Sequence, residues 1–416
     1  MNVGRSAYKI PPFFWQISIA LIVFTSCNAG YYADSAYLNF ATQGVQSSFA
    51  DESVANPLSF IGTISTITCI GILFLRAPRR IPLPVVIVLP TLTWLMISSL
   101  WSNTFLATLS LTIKTIIYIN ALDCALEKLD VQQAVRAFVW TITAILLVSL
   151  ALCLIDPIFR ISVGAEGWRG FFAHKNRLAS FCLFSAPILL LGMRFNRAVS
   201  SIILALLLYM LVMSQGKAAL GILLVASLVI VSSSLVWRGN RDVRPTLLVL
   251  VIAFWFILLV SWALIIYQIN YGDLTFSGRT IIWNWYIKDL DNLVLIGQGG
   301  LTASQDPVFV ARAVESHMPP TSDSSYVMIL YNNGIVGLMI FFITAISFCV
   351  ISVKNSRYFI YPLVTIFCYI VFAGMESDAR FVNHYSTFSA LALYVIAKKL
   401  MLKHRSLPDV PIHARP

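Results

Sequence analysis

The chain has 416 residues, of which 58% are hydrophobic and 11% charged, with a mean hydropathy of +0.82. Soluble domains carry roughly 25% charged residues, so this composition excludes an ordinary water-soluble enzyme and makes lipid the solvent. The net charge of +11 at pH 7 does not point to nucleic acid, because the basic residues lie in short clusters between apolar runs and not in one patch interleaved with aromatics.

A spanning helix needs roughly 20 mostly apolar residues, and its backbone groups must bond within the segment. On that criterion the pattern predicts spans near 13–29, 58–75, 82–101, 104–122, 137–155, 178–194, 198–214, 218–236, 246–267, 325–350, 358–373 and 385–400. The expectation is an all-α, polytopic transmembrane helical bundle of about twelve spans, one integral membrane domain over 1–416, with a long extracytoplasmic loop at 268–324. With the N-terminus inside, Arg76, Arg79, Arg80, Arg194 and Arg197 fall on the inner side. The overall Lys and Arg bias is about two to one for both termini in the cytoplasm. The acidic residues lie mainly outside, which agrees but sets topology only weakly. Lys9, the apolar run 13–26 and Asn28-Ala29-Gly30 have the outline of a signal peptide. The aromatic lead Phe13-Phe14-Trp15 and a poor cleavage pattern favour a retained first helix. The outer segments 30–57, 156–177 and 268–324 are the long ones, which locates the working face outside.

The seven cysteines lie in apolar runs with no CxxC and no metal-ligand spacing, so they read as small buried apolar residues. No zinc site, Walker loop or GxGxxG is present. No metal and no cofactor are expected.

Several constellations carry chemical potential. Lys114 sits mid-span, where a cation is a functional candidate unless it snorkels or pairs with Asp123 on a helix that runs deeper. Trp168-Arg169-Gly170-Phe171-Phe172-Ala173-His174-Lys175-Asn176-Arg177 crowds four potential cations at the outer end of a helix, against the charge bias kept elsewhere. That arrangement fits an anionic ligand or lipid headgroups. Ser214-Gln215-Gly216-Lys217 is a short polar break between two spans, with a Lys at a helix start, where the dipole prefers an anion. Phe276-Ser277-Gly278-Arg279-Thr280 leads into a helix bearing Trp283 and Trp285, with Ser277 as N-cap and Arg279 in the first turn, followed by the Gly297, Gly299 and Gly300 turn. His317 and Asp323 are titratable groups just ahead of Tyr326 and of Asn332-Asn333-Gly334-Ile335-Val336-Gly337, suited to act on an acceptor hydroxyl.

Taken in order, the RGxFxHKN-like segment, the Ser-Gln-Gly-Lys break, SGRTxIW with its GxGG turn, and Tyr326 leading to Gly334-Ile335-Val336-Gly337 resemble the O-antigen ligase and Wzy-type polysaccharide polymerase superfamily, in particular its exopolysaccharide polymerase branch. The resemblance implies a membrane-type (GT-C-like) inverting glycosyltransferase of the bacterial inner membrane that needs no metal. Its substrate would be an undecaprenyl-diphosphate-linked oligosaccharide, polymerised on the periplasmic face or transferred by a ligase to another acceptor. Chain-length regulator and flippase proteins of the same pathway are implied as partners; the oligomeric state is left open. The resemblance further implies that Arg279 and Lys217 bind the donor diphosphate with Arg169 and Lys175, that His317, Asp323 or His174 positions the acceptor, and that Trp283, Trp285 and Tyr326 contact sugar or lipid. Members often carry His three residues before the Tyr; here that position is Asp323, with His317 six residues further upstream. A flippase or transporter is the rival from another class. It would place its ionisable groups near the midplane and show related halves with broken helices.

Overall fold

In the computed structural model the described residues are 11–28, 57–75, 83–155, 161–162, 165–172, 175–239, 279–290, 293–300, 311–313, 315–316, 324–353, 360–375 and 385–405. Before the first loop the helices are α1 (Pro12–Asn28), α2 (Pro57–Leu75), α3 (Leu83–Ser98, then a 3-10 turn Ser99–Trp101), α4 (Phe105–Lys128) and α5 (Val131–Ile155). A two-residue antiparallel pair, β1 (Ile161–Ser162) and β2 (Ala165–Glu166), precedes α6 (Lys175–Gly192), α7 (Arg197–Met213) and α8 (Lys217–Gly239). Then come α9 (Arg279–Asp289), α10 (Ser325–Val353), α11 (Ile360–Met375) and α12 (Tyr385–Arg405). The predicted spans therefore recur as helices except 246–267, which lies outside the described residues.

Among the described residues, three helices are long and apolar enough to cross a membrane: Phe105–Lys128, Val131–Ile155 and Ser325–Ile351. Shorter apolar helices, among them Pro12–Cys27 and Arg197–Met213, pack with them. The chain is thus a helical membrane protein, and the full number of spans remains an expectation from the sequence. The seven cysteines are free, six buried and Cys349 partly so, as the sequence predicts.

Helix α6 is the axis of the bundle. It is buried on nearly every side, which its continuous apolar composition permits, and it packs against α5, α7, α8, α11 and α12. Between helices in lipid there is no hydrophobic gain, so small polar side chains join them. Ser185 bonds Tyr385 at 2.9 Å, Ser389 donates to the Phe184 carbonyl at 2.7 Å, Thr91 bonds Thr344 at 2.8 Å and Thr66 bonds Tyr118 at 2.9 Å. Other hydroxyls, including Thr112 and Thr115, return to carbonyls one turn back and so remain satisfied within their own helix.

Helix α10 is not one straight rod. Tyr326 and Phe342 would stand about 24 Å apart along a continuous helix, yet their ring centroids are 5.3 Å apart, and Tyr326 also meets Phe341 at 5.9 Å. The chain folds back at Gly334, whose φ of 67° and ψ of −173° are not helical. The fold-back orphans carbonyls at the end of the first leg and amides at the start of the second. The 293–300 segment supplies both sets of partners. Gln298 and Gly299 amides donate to the Tyr331 and Asn332 carbonyls at 2.9 and 2.7 Å, while Ile335 and Val336 amides donate to the Val294 and Leu295 carbonyls at 2.9 and 3.2 Å. The second leg, 335–353, is about 28 Å long and alone matches a hydrocarbon core of about 30 Å.

Lys114 is exposed on the flank of α4. The helix does run deeper than 122, to Lys128, but Asp123 lies about 13 Å further along it, beyond a direct pair. At that end Lys399 of α12 donates to the Leu126, Glu127 and Leu129 carbonyls, the last two at 3.0 and 2.7 Å, and so caps α4.

Candidate functional site

The segment after β2 folds onto the break between α7 and α8. Trp168 N donates to the Met213 carbonyl at 2.9 Å, and its ring meets Tyr209 edge-on at 5.8 Å. Gly167, at φ +127°, passes so close that a Cβ there would stand 2.5 Å from the Ser214 carbonyl oxygen and 3.1 Å from Lys175 Cδ. Phe171 N reaches Ser149 Oγ of α5 at 3.4 Å, and the Phe171 ring meets Phe24 of α1 at 5.0 Å. The break itself is tight: Lys217 N donates to the Gln215 carbonyl at 2.9 Å across Gly216, and Gln215 is held at φ 53°, a conformation that costs a non-glycine residue about 1–2 kcal/mol.

This brings the 168–177 and 214–217 constellations together. Helix α6 opens at Lys175 and α8 at Lys217, and the two helices pack side by side. Each brings the positive end of its dipole there. Arg169 and Lys175 are half-buried and Lys217 is exposed. Cations at two adjacent helix N-termini repel one another and oppose both dipoles, so the arrangement suits an anion.

The second region is built on α9. Its Tyr286 packs edge-on against Tyr331 of α10, with ring centroids 5.1 Å apart, in a small apolar cluster with Leu290 and Met328. Asp289, the last residue of α9, accepts from Tyr331 Oη at 2.6 Å and pairs with Arg312 at 3.1 Å. Trp285 meets Tyr286 at 5.1 Å on the edge of this cluster, and Trp283 is partly exposed. The glycine turn lies against α3: Trp101 Nε1 donates to the Gly297 carbonyl at 3.2 Å, Trp94 Nε1 to the Asn333 carbonyl at 3.1 Å, and Ser98 Oγ to Asn333 Oδ1 at 2.8 Å. Tyr326 donates its hydroxyl to the Ile370 carbonyl of α11, which commits it to helix packing. Arg279 opens α9 as its first residue, its side chain outside the described residues; His174, His317 and Asp323 also lie outside them.

Both regions stand at the same end of the bundle. The α4 start, beside the glycine turn, is opposite the α4 end that Lys399 caps. Helix α5 then runs back from that capped end to Ser149, where it meets Phe171. Between the regions, α11 packs against α10 on one side and against α6 and α8 on the other.

Residues 202–342 match the O-antigen ligase family model. This stretch, about a third of the chain, is similar to that family. It runs from within α7 to the second leg of α10, so it contains Lys217, Arg279, the glycine turn and the fold-back, while Arg169 and Lys175 precede it. The superfamily that the motifs resemble is supported over this stretch. No curated protein matches the chain.

Within the matched stretch, the sequence reading missed Asp289 and, ahead of α10, Arg312. A signal was available in part. An acidic residue at a helix C-terminus is opposed by the dipole, so Asp289 at the end of an amphipathic stretch asks for donors. Their identity could not be read, because Tyr331 is far away in sequence.

Proposed function

We propose that the protein is an integral-membrane glycosyltransferase that joins undecaprenyl-diphosphate-linked oligosaccharide repeat units on the outer face of the bacterial cytoplasmic membrane, with both termini in the cytoplasm. The terminal hydroxyl of one unit attacks C1 of the sugar on the other. A glycosidic bond forms with inversion as the C1–O bond to the diphosphate breaks, the hydroxyl proton passes to a base, and undecaprenyl diphosphate leaves. Charge gathers on that leaving group in the transition state, and preorganised cations stabilise it. Arg279, Lys217, Arg169 and Lys175 serve that purpose; His317, Asp323 or His174 orients and deprotonates the acceptor. Trp283 and Trp285 lie along the sugar and lipid path, and Tyr326, predicted to join them, serves helix packing instead. No metal takes part in this scheme.

The observation that carries the reading is the gathering of Arg169, Lys175 and Lys217 around two adjacent helix N-termini, at the end of the bundle that also holds the α9 region. The family region supports a ligase- or polymerase-type activity on lipid-linked glycan. A carrier would gain from a broken helix, and α10 is one, but Gly334 is level with the end of α3 and not with the middle of the bundle, and the 293–300 segment already occupies its open backbone groups.

Purified protein supplied with a lipid-linked repeat unit is expected to yield longer lipid-linked products, and Arg279→Ala to slow their formation about a hundredfold or more. An unchanged product ladder from that variant removes the catalytic assignment. Translocation of the substrate without elongation would establish a carrier, and glycan found only on a different class of acceptor a ligase.

A further inference from the structure

The charged network beneath α9 has no part in the scheme above. Asp289 is the last residue of α9, Tyr331 lies in the first leg of α10 just before the fold-back, Arg312 stands in the long loop, and Gln298 belongs to the glycine turn. These four segments meet around Asp289. Tyr331 Oη donates to Asp289 Oδ2 at 2.6 Å and Arg312 Nη1 to Oδ1 at 3.1 Å. The Tyr331 carbonyl in turn accepts the Gln298 amide at 2.9 Å, and Gln298 Nε2 reaches the Asp289 carbonyl at 3.5 Å. Tyr331 is 1% exposed, so its hydroxyl has a fixed direction.

An aspartate at a helix C-terminus works against the dipole, whereas Asn or Lys there would not. Its charge is therefore matched to the two donors that face it, and charge-assisted bonds of this kind hold geometry more strongly than neutral ones. What they hold is the far end of the helix that begins with Arg279. A rigid helix of eleven residues transmits any tilt at Asp289 to its first turn.

We propose that Asp289, clamped by Tyr331 and Arg312, is a positioning residue that fixes α9 on the first leg of α10 and so sets where Arg279 meets the leaving diphosphate. This rests on the reading of Arg279 as a diphosphate ligand. Misplacing such a group by about 1 Å lowers the rate about a hundredfold.

The test measures elongation of the lipid-linked repeat, with kcat and KM, for Asp289→Ala and Tyr331→Phe, alone and combined with Arg279→Lys. The melting temperature of each detergent-purified variant is recorded beside it. In the wild-type background both substitutions are expected to lower kcat/KM about ten- to a hundredfold. In the Arg279→Lys background they are expected to cost less than about twofold, because a positioning role is lost along with the group it positions. Losses equal in the two backgrounds, or full activity of both single variants, overturn the proposal. Should Asp289→Ala fail to fold, Tyr331→Phe keeps the ring against Tyr286 and decides alone. Full activity of Arg279→Ala would overturn the diphosphate reading as well, whereas equal losses overturn the positioning role only.

Discussion

Gly334 is the residue on which the outer architecture of α10 turns. Its φ and ψ of 67° and −173° lie in a region that only glycine enters readily, and a Cβ there would stand 2.1 Å from the Leu295 carbonyl oxygen. That carbonyl accepts the Val336 amide, so it has no freedom to retreat without breaking the fold-back. Gly334→Ala is therefore expected to destabilise the protein by about 1–3 kcal/mol from the backbone alone, and by more once the clash is counted. Thermal unfolding in detergent would read this as a clear fall in melting temperature. Gly221→Ala provides the contrast, because a Cβ at that position in α8 meets nothing within 4 Å. There a helix-favouring side chain replaces a flexible one and should leave the protein equally or slightly more stable. Equal behaviour of the two variants would show that the fold-back does not depend on Gly334.

Among the elements, α4 and α12 are joined by a contact between one helix's charge and another's terminus. The last carbonyls of α4 lack intrahelical partners, and the Lys399 ammonium supplies donors to Glu127 and Leu129 at 3.0 and 2.7 Å. Lys399→Ala leaves those carbonyls unsatisfied and should cost about 1–3 kcal/mol in stability, with glycan elongation by the remaining folded protein unchanged because the cap sits at the opposite end from the basic cluster. A fall in turnover with no change in melting temperature would contradict this division of labour. The elements themselves were largely legible in the sequence, because an apolar run of near-membrane length has few other uses. The fold-back of α10 was not. Mean hydropathy stays high over 325–350, and glycines such as Gly334 and Gly337 in such a run also fit an unbroken helix. Nor could the sequence reveal that 293–300 completes the hydrogen bonding of that break, since the partners come together only in three dimensions. The 168–177 cluster could be singled out by its violation of the charge bias and the Lys217 break by a cation at a helix start, but the loop that joins them is a matter of Gly167 and its close approach, which composition does not encode.

For the whole molecule the physical question is sidedness. The glycine turn, the Ser214–Lys217 break and the α6 start share one end of the bundle, while Lys128 and Arg197 belong to the end that Lys399 occupies or to the turn that follows α6. In the proposed topology the excess of Lys and Arg assigns that second end to the cytoplasm under the positive-inside rule, and the first end is the one proposed to face the lipid-linked glycan. Cysteine labelling can decide this with little background, because six of the seven native thiols are buried and the seventh is partly so. Gln215→Cys and Asn284→Cys, at exposed positions, should react with a membrane-impermeant maleimide in intact spheroplasts. Lys128→Cys and Arg197→Cys, also exposed, should react only after the membrane is permeabilised. Labelling of Gln215→Cys and Asn284→Cys from opposite sides would separate the basic cluster from Arg279, and no single diphosphate could then reach both. Labelling of all four from outside would instead leave the cluster intact and reverse only the assignment of the remaining charges.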